Sequence, residues 1–439
     1  MTHERFDTLI LGGGVTGLAA GIASAAPILE AEAFPGGICS SYYMRRDSAQ
    51  RMATAGAHGE AYRFEHGGGH WIFGGHPDVL RIIERLAPCE RFNRRSSVFF
   101  PEQSCYVGFP LQYHLRQLPP ATAACALNEM LAAQATDVGT MAQWLEGQFG
   151  HTLAELFFHP FHEAYTAGLW RDIAPQDGYK TPLDRREVLR GASGSAGPAG
   201  YNVTFLYPRD GLDVLIARLA ARTDLHCGHP VVRIDVAARE LVLDDGRVLR
   251  YGRLLSTLPL NRIMALTGLR TRAEPDPYTS VLVLNIGAER GPKCPDDHWL
   301  YVPKAHSGFH RVGFYSNVRE HFLPVSARGR HRATCLYVER SYRGGKKPDE
   351  DELAQYATSA ARELQSWGFI GKIEALDPSW VDVAYTWSYP GSSWVGEAIA
   401  ALASHDIWVA GRYARWNFQG IADSLRDGLI AGQALRLSS

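Results

Sequence analysis

Residues 7–17, Asp-Thr-Leu-Ile-Leu-Gly-Gly-Gly-Val-Thr-Gly, restrict the fold more than any other stretch. Leu9, Ile10 and Leu11 form an apolar run that reads as a short buried strand. It leads straight into a glycine-rich turn and a helix. Gly12, Gly14 and Gly17 occupy the G-x-G-x-x-G positions. In that arrangement the first glycine makes the tight turn and the second lets a pyrophosphate approach the backbone. The third lets helix and strand pack closely. The helix start adds unpaired N–H groups and a positive dipole end. Glycine-rich turns are common, so the weight of the motif depends on its surroundings.

The next strand, residues 27–30, ends in Glu30. That is near the spacing at which an acid meets a ribose hydroxyl of a bound dinucleotide. Pro35-Gly36-Gly37-Ile38-Cys39-Ser40-Ser41 follows at once. A simple nicotinamide site does not need this second glycine pair, which suits a more extended cofactor. Phe64-Glu65-His66-Gly67-Gly68-Gly69-His70-Trp71-Ile72-Phe73 then puts three glycines between two histidines, again a sign of close backbone approach. A metal site from His66, His70 and His76 is disfavoured, because no acid or cysteine stands at ligand spacing.

Residues 76–190 read as mainly helical. Thr140 with Gln143, and Thr152 with Glu155, have capping-box form. Pro160 is expected to end or kink the second of these helices near His159. The aromatic segment 160–170 reads as core or as the wall of a pocket. Residues 191–200, Gly-Ala-Ser-Gly-Ser-Ala-Gly-Pro-Ala-Gly, read as a linker or a mobile lid. The runs 230–236 and 241–243, beside Asp244-Asp245-Gly246, read as a hairpin or meander. Segments 280–286, 298–302, 311–316 and 333–339 alternate, which predicts an antiparallel sheet with one wet face. Period two puts Trp299 and Tyr301 on one face, with Arg311 opening the next strand. That group is either an anion or nucleotide platform or surface decoration. A strand into Gly411-Arg412 and a terminal helix from Gly420 complete the chain.

Composition narrows the function classes. A formal net charge of -1 over 439 residues gives no electrostatic case for nucleic acid or a membrane surface. The seven cysteines are an odd number and include no C-x-x-C pair, which fits a reducing compartment. No apolar run approaches the ~20 residues that span a bilayer. The polar first residues carry no leader pattern, and a cytoplasmic location is expected.

Taken together, GGGVTG with Glu30, PGGICSS at 35–41 and GRYARWNFQGIADS at 411–424 resemble the amine oxidase, protoporphyrinogen oxidase and UDP-galactopyranose mutase superfamily. The resemblance is greatest to the mutase branch. It implies an α/β fold: a doubly wound FAD-binding domain (residues 1–75, 203–265 and 400–439), a helical domain (76–202) and an antiparallel-sheet substrate domain (266–399). It implies FAD held by Gly12, Gly14, Gly17, Glu30, Gly36, Gly37, Ser40, Gly69, His70, Val232, Gly411, Arg412, Asp423 and Ser424. GGHWIF at 68–73 places His70 by the isoalloxazine. The YNVTF segment assigns Asn202 to the diphosphate or sugar. HWLYVP followed by FHR assigns Trp299, Tyr301 and Arg311 to the substrate, as do Tyr389 in SYP, Trp170 and the position of Phe418.

The implied reaction is a pyranose–furanose interconversion of a nucleoside diphosphate sugar, with reduced flavin N5 as nucleophile at the anomeric carbon. His70, Arg311 and Asn202 are the expected catalytic residues, and NAD(P)H is a candidate reductant. Three departures leave a second reading open. Phe418 stands where the branch usually has a tyrosine. No clear match to a second phosphate-binding arginine exists among Arg185, Arg186 and Arg190. Segment 165–180 differs from the known uridine pocket. The alternative is an FAD-dependent oxidase, dehydrogenase or desaturase acting on an amine, carbon centre or sugar. The sugar, the base and the oligomeric state are not legible.

Overall fold

Leu9, Ile10 and Leu11 are 0–1% exposed at the centre of a mostly parallel sheet in the computed structural model. The structure describes residues 4–133, 139–176, 178, 183–194, 197, 199–200 and 202–437. Strand Glu4–Leu11 pairs in parallel with Ile28–Leu29 on one side and Val248–Ser256 on the other. Leu225–His226 extends the first side, and Ile407–Val409 pairs with Val248–Ser256. Residues near both termini and from mid-chain therefore share one sheet. Val231–Asp235, Glu240–Leu243 and Val248–Ser256 form an antiparallel meander at its edge. Helices Val15–Ser24 and Ile421–Leu437 pack together very closely. A Cβ at Gly428 would lie 2.2 Å from the Thr16 carbonyl oxygen, so only glycine permits this approach.

The second sheet runs Ile370–Thr386, Tyr278–Arg290, Ala333–Arg343, Arg311–Phe314, Trp299–Tyr301, Ser96–Phe100 and Cys105–Gly108. It is antiparallel except where Trp299–Tyr301 meets Ser96–Phe100. Two expectations change here. The span 76–190 is not continuously helical, because Cys89–Asn93, Ser96–Phe100 and Cys105–Gly108 are strands. Ser96, Ser97 and Val98 pair with Trp299–Tyr301 and Phe99 packs on Trp367 and Phe369, all far along the chain, and this tertiary pairing outweighs local preference. Nor does the sheet keep a wet face. Leu282, Leu284, Leu336 and Val338 pack under helix Glu350–Ser366 through Tyr356, Ala360 and Leu364. Val281, Val283, Trp299 and Tyr337 join the core shared with the first sheet.

The helical part holds one expected cap and lacks another. Gln143 N–H donates to Thr140 Oγ1 and Thr140 N–H to Gln143 Oε1, the full capping box. The box at Thr152 does not form. Gly150 (φ 73°) breaks the helix, and Glu129 from helix Pro120–Ala132 accepts from Thr152 N at 2.7 Å and Oγ1 at 2.8 Å. Glu155 instead meets His159 Nδ1 at 2.8 Å. Glu129→Ala should therefore cost about 1 kcal/mol, as loss of a cap does, and lower the urea midpoint. An unchanged midpoint would show that the helix start is satisfied by another group.

Pro160 widens the helix instead of ending it. Residues Ala154–Phe158 form a wide turn, His159 N–H donates to the Ala154 carbonyl, and helix His159–Tyr165 continues. Such bulges recur at functional sites. Residues 191–193 belong to helix Arg185–Ser193, so the linker read from residue 191 begins later. Residues 195, 196, 198 and 201 lie outside the described residues, as does most of 177–182. The lid reading falls largely on them.

Candidate functional site

A cavity of about 1160 Å³ runs from the first glycine loop to the second sheet. At one end Gly12 takes φ +99° to make the turn. A Cβ at Gly17 would sit 1.8 Å from the Gly12 carbonyl oxygen, so the third glycine is obligatory for packing. A Cβ at Gly14 would meet nothing within 4 Å, and Gly14 lines the cavity. Glu30, also in the wall, accepts from Gly13 N at 2.6 Å and Glu32 N at 2.8 Å. The second glycine pair lies against the first loop, with Gly36 N donating to Gly13 O at 2.9 Å. Ser40 Oγ donates to Gly37 O at 2.6 Å and lies 2.9 Å from His66 Nδ1, tying this loop to the histidine-bearing one.

The triple glycine answers to a protein neighbour as well as to the cavity. A Cβ at Gly69 would lie 2.1 Å from Tyr337 Oη. His70 lines the cavity, with Nδ1 3.2 Å from Gly68 O. Burial pushes its pKa down to about 4, partly countered by that carbonyl, so the ring is neutral at pH 7. At the opposite side Gly411 N donates to buried Asp427 at 2.6 Å. Arg412 donates to Ala384 O at 2.9 Å and lies over Phe418, 4.8 Å from the ring centroid. Phe418 thus supplies a π face where a tyrosine hydroxyl was in question. Gly420, Ile421 and Ser424 bring the start of the terminal helix to the wall.

The deeper wall is aromatic: Phe157, Phe161, Tyr165, Tyr301, Tyr385 and Trp387 all line it. Tyr301 and Arg311 face each other across paired strands, and Arg311 in turn pairs with Glu339. Arg311 donates Nε to Glu339 Oε2 at 2.9 Å and Nη2 to Oε1 at 2.6 Å. Its Nη1 takes no part in that fork. Burial alone would raise the Glu339 pKa, but the Arg311 charge and His310 hold it down to about 2. Asn202 lines the cavity with its Oδ1 held by Arg94, which also bonds Phe109 O and Ala199 O.

Several expected residues are not brought to this cavity. Val232 is 52% exposed on an edge strand, because the register shift between Val231 and Arg233 turns it outward. Asp423 is exposed, since helical period presents Ile421 and Ser424 instead. Trp170 is buried with its indole N–H on Glu163 at 2.8 Å. Trp299 shares a face with Tyr301 but packs among Phe73 and Phe205. Tyr389 is 40% exposed, just beyond the strand end, and lies outside the wall. Arg185, Arg186 and Arg190 also lie outside it, with Arg190 on Glu187 at 2.6 Å.

Sequence reading missed Glu339, His310, Arg94 and Asp427. One signal was present: an acid inside the otherwise apolar strand at 333–339 is anomalous unless paired. Among the described residues, no group of three or more His, Cys, Asp or Glu gathers as a metal site. Among them too, no helix is long and apolar enough to cross a membrane.

The loops suit FAD. The open Gly14 position, the Glu30 carboxylate and the first helix start lie together, as a pyrophosphate and ribose require. The volume exceeds the ~300–1000 Å³ of ordinary ligand pockets, leaving room for a second molecule. The model of the flavin containing amine oxidoreductase family matches residues 26–435. No curated protein matches the sequence. Among solved structures, a reduced UDP-galactopyranose mutase superposes with TM-score 0.83 at 19% identity, over 99% of this chain and 96% of that one. A putative protoporphyrinogen oxidase from Exiguobacterium sp. 255-15 gives 0.68 at 15% identity, over 100% of both. Putrescine oxidase bound to putrescine gives 0.57 at 17%, over 99% of both. At these identities the likeness is one of fold.

Proposed function

We propose that this chain, which belongs to the flavin containing amine oxidoreductase family, is an FAD-dependent mutase that interconverts ring forms of a nucleoside diphosphate sugar. The observation that carries the reading is the Tyr301–Arg311 pair on adjacent strands, in the wall of the same cavity as Gly14 and Glu30. A guanidinium with one nitrogen not engaged by Glu339, beside a phenol, suits an anionic leaving group. Reduced FAD would supply the nucleophile for the anomeric carbon.

The chain's own residues position and shield. Arg311 and Tyr301 hold the diphosphate. Asn202, fixed by Arg94, orients a sugar hydroxyl. His70, neutral and tethered to Gly68 O, keeps its loop in place beside the flavin. The aromatic wall excludes water, which strengthens each polar contact inside. The helix start at Gly420 to Ser424 favours negative charge on the flavin ring.

A second reading has its own support. Arg311 is already matched by Glu339, and Trp170 and Tyr389 stand outside the cavity. Fewer groups are left for a diphosphate, and the aromatic wall suits oxidation of an amine or carbon centre. One experiment separates the two. The holoenzyme is reduced anaerobically with dithionite, given UDP-, GDP- or dTDP-sugars, and treated with cyanoborohydride. The mutase reading expects the extracted cofactor to gain the mass of a sugar. No gain with any sugar, together with bleaching of the oxidised flavin by an amine such as putrescine, would transfer the assignment to the oxidoreductase.

A further inference from the structure

His310 is an imidazole in the cavity wall with neither ring nitrogen hydrogen-bonded. Among the described residues, the other histidines of that wall each have a partner: His66 on Ser40, His70 on Gly68 O, His162 on Phe158 O. His310 is 1% exposed. A buried polar group left unfinished in this way calls for an explanation.

Its surroundings supply one. Its own backbone N–H donates to the Glu339 backbone carbonyl at 2.9 Å, which holds the two residues side by side. His310 Nε2 is 3.5 Å from Glu339 Oε2, too far for a good hydrogen bond but within ion-pair range. The same carboxylate carries the fork from Arg311. From helix His159–Tyr165, Tyr165 faces the ring at 5.3 Å and His162 lies nearby. Tyr385, on strand Ile370–Thr386, stands across Tyr165 at 4.8 Å. Burial pushes the Tyr385 phenol up to about 12, and His162 is buried and tied to a carbonyl. Burial likewise holds His310 neutral while Glu339 and Arg311 balance one another.

We infer that His310 takes up a proton from solvent when an anionic ligand engages Arg311, so that ligand binding at this site is proton-coupled. A ligand carrying two negative charges draws on the Arg311 guanidinium and leaves Glu339 under-compensated. A buried carboxylate without its cation is strongly unfavourable. The nearest group able to supply positive charge is His310, whose nitrogens are committed to no other partner. As an imidazolium it directs Nε2–H at Glu339. His310 is in this sense a positioning residue, acting through Glu339 and Arg311. The bound state then has a higher His310 pKa than the unliganded state, so affinity is greater at low pH and falls as pH rises through that value.

This inference rests on the reading of Arg311 as an anion-binding residue. The test is titration calorimetry of the oxidised holoenzyme with UDP-galactose, whose diphosphate has no ionisation near neutral pH. Titrations at pH 7 in two buffers of different ionisation enthalpy count the protons exchanged. The expected result is uptake approaching one proton per ligand, abolished in His310→Phe and in His310→Gln. Two variants are used so that a folding failure of one leaves the other to decide. Affinity of the parent protein should fall about tenfold per pH unit between the free-state and bound-state His310 pKa values and level off above the latter. Binding without uptake, or uptake that survives both variants, overturns the inference and leaves the mutase reading standing. If UDP-galactose does not bind, the same titration is run with GDP- and dTDP-sugars, and failure of all of them to bind overturns both.

Discussion

Arg311→Ala should destabilise the protein by about 3 kcal/mol and abolish binding of a sugar nucleotide. The stability loss comes from Glu339, which is 2% exposed and would lose its partner. Breaking a buried pair from one side costs about 3–5 kcal/mol, and Arg311 keeps 24% exposure, which argues for the low end. The pH dependence separates this from other causes. With Arg311 present, Glu339 titrates at about 2, below an ordinary glutamate. Its stabilisation is therefore complete above about pH 4.3 and is lost as pH falls toward 2. Without Arg311, the buried Glu339–His310 pair takes up a proton as pH is lowered, which removes the uncompensated charge. The deficit of Arg311→Ala should then be largest at neutral pH and shrink as pH is lowered.

A double variant, Arg311→Met with Glu339→Leu, removes both charges and should recover most of the stability. It should not recover nucleotide affinity. Denaturant titrations at pH 5 and pH 7, with calorimetry on both variants, decide the matter. If the double variant binds UDP-galactose as the parent does, Arg311 is no part of the site. If the single variant is as stable as the parent at pH 7, the pair does not matter to the fold.

The second large effect contrasts two alanines three residues apart. Gly17→Ala would put its Cβ 1.8 Å from the Gly12 carbonyl oxygen and 3.0 Å from its carbon. Neither can yield without moving the strand or the helix, so a loss of about 3 kcal/mol is expected. Gly14 has φ -71° and open space at its Cβ, so Gly14→Ala should fold with an unchanged midpoint. Its methyl group would occupy the approach of the pyrophosphate, and the purified protein should carry little flavin. Absorbance of the bound cofactor and thermal melting of both variants supply the check. Full flavin content in Gly14→Ala would mean that the cofactor does not lie on this loop.

These two tests mark where sequence reading worked and where it could not. The glycine loop was legible because its demands are local. A turn, a close helix and an open backbone each restrict one position to glycine, whatever lies elsewhere. The same holds for the Thr140–Gln143 cap and for the terminal strand and helix. The Thr152–Glu155 box had the same local form and failed, because Gly150 broke the helix and Glu129 arrived from a neighbouring one.

Partners far apart in sequence were out of reach. Alternation marked 311–316 and 333–339 as strands but gave no register, and register alone sets Arg311 against Glu339. Trp170, Trp299 and Tyr301 are all aromatic residues beside apolar neighbours. Whether such a ring lines a cavity or fills a core depends on what the rest of the chain places opposite it. By itself the sequence determined the dinucleotide loop and the family. Only the tertiary structure decided that Arg311 is balanced by Glu339, that Arg94 fixes Asn202, and that Tyr389 and Val232 stand apart. The reason is physical: periodicity records that a side chain is buried, and long-range packing decides against what.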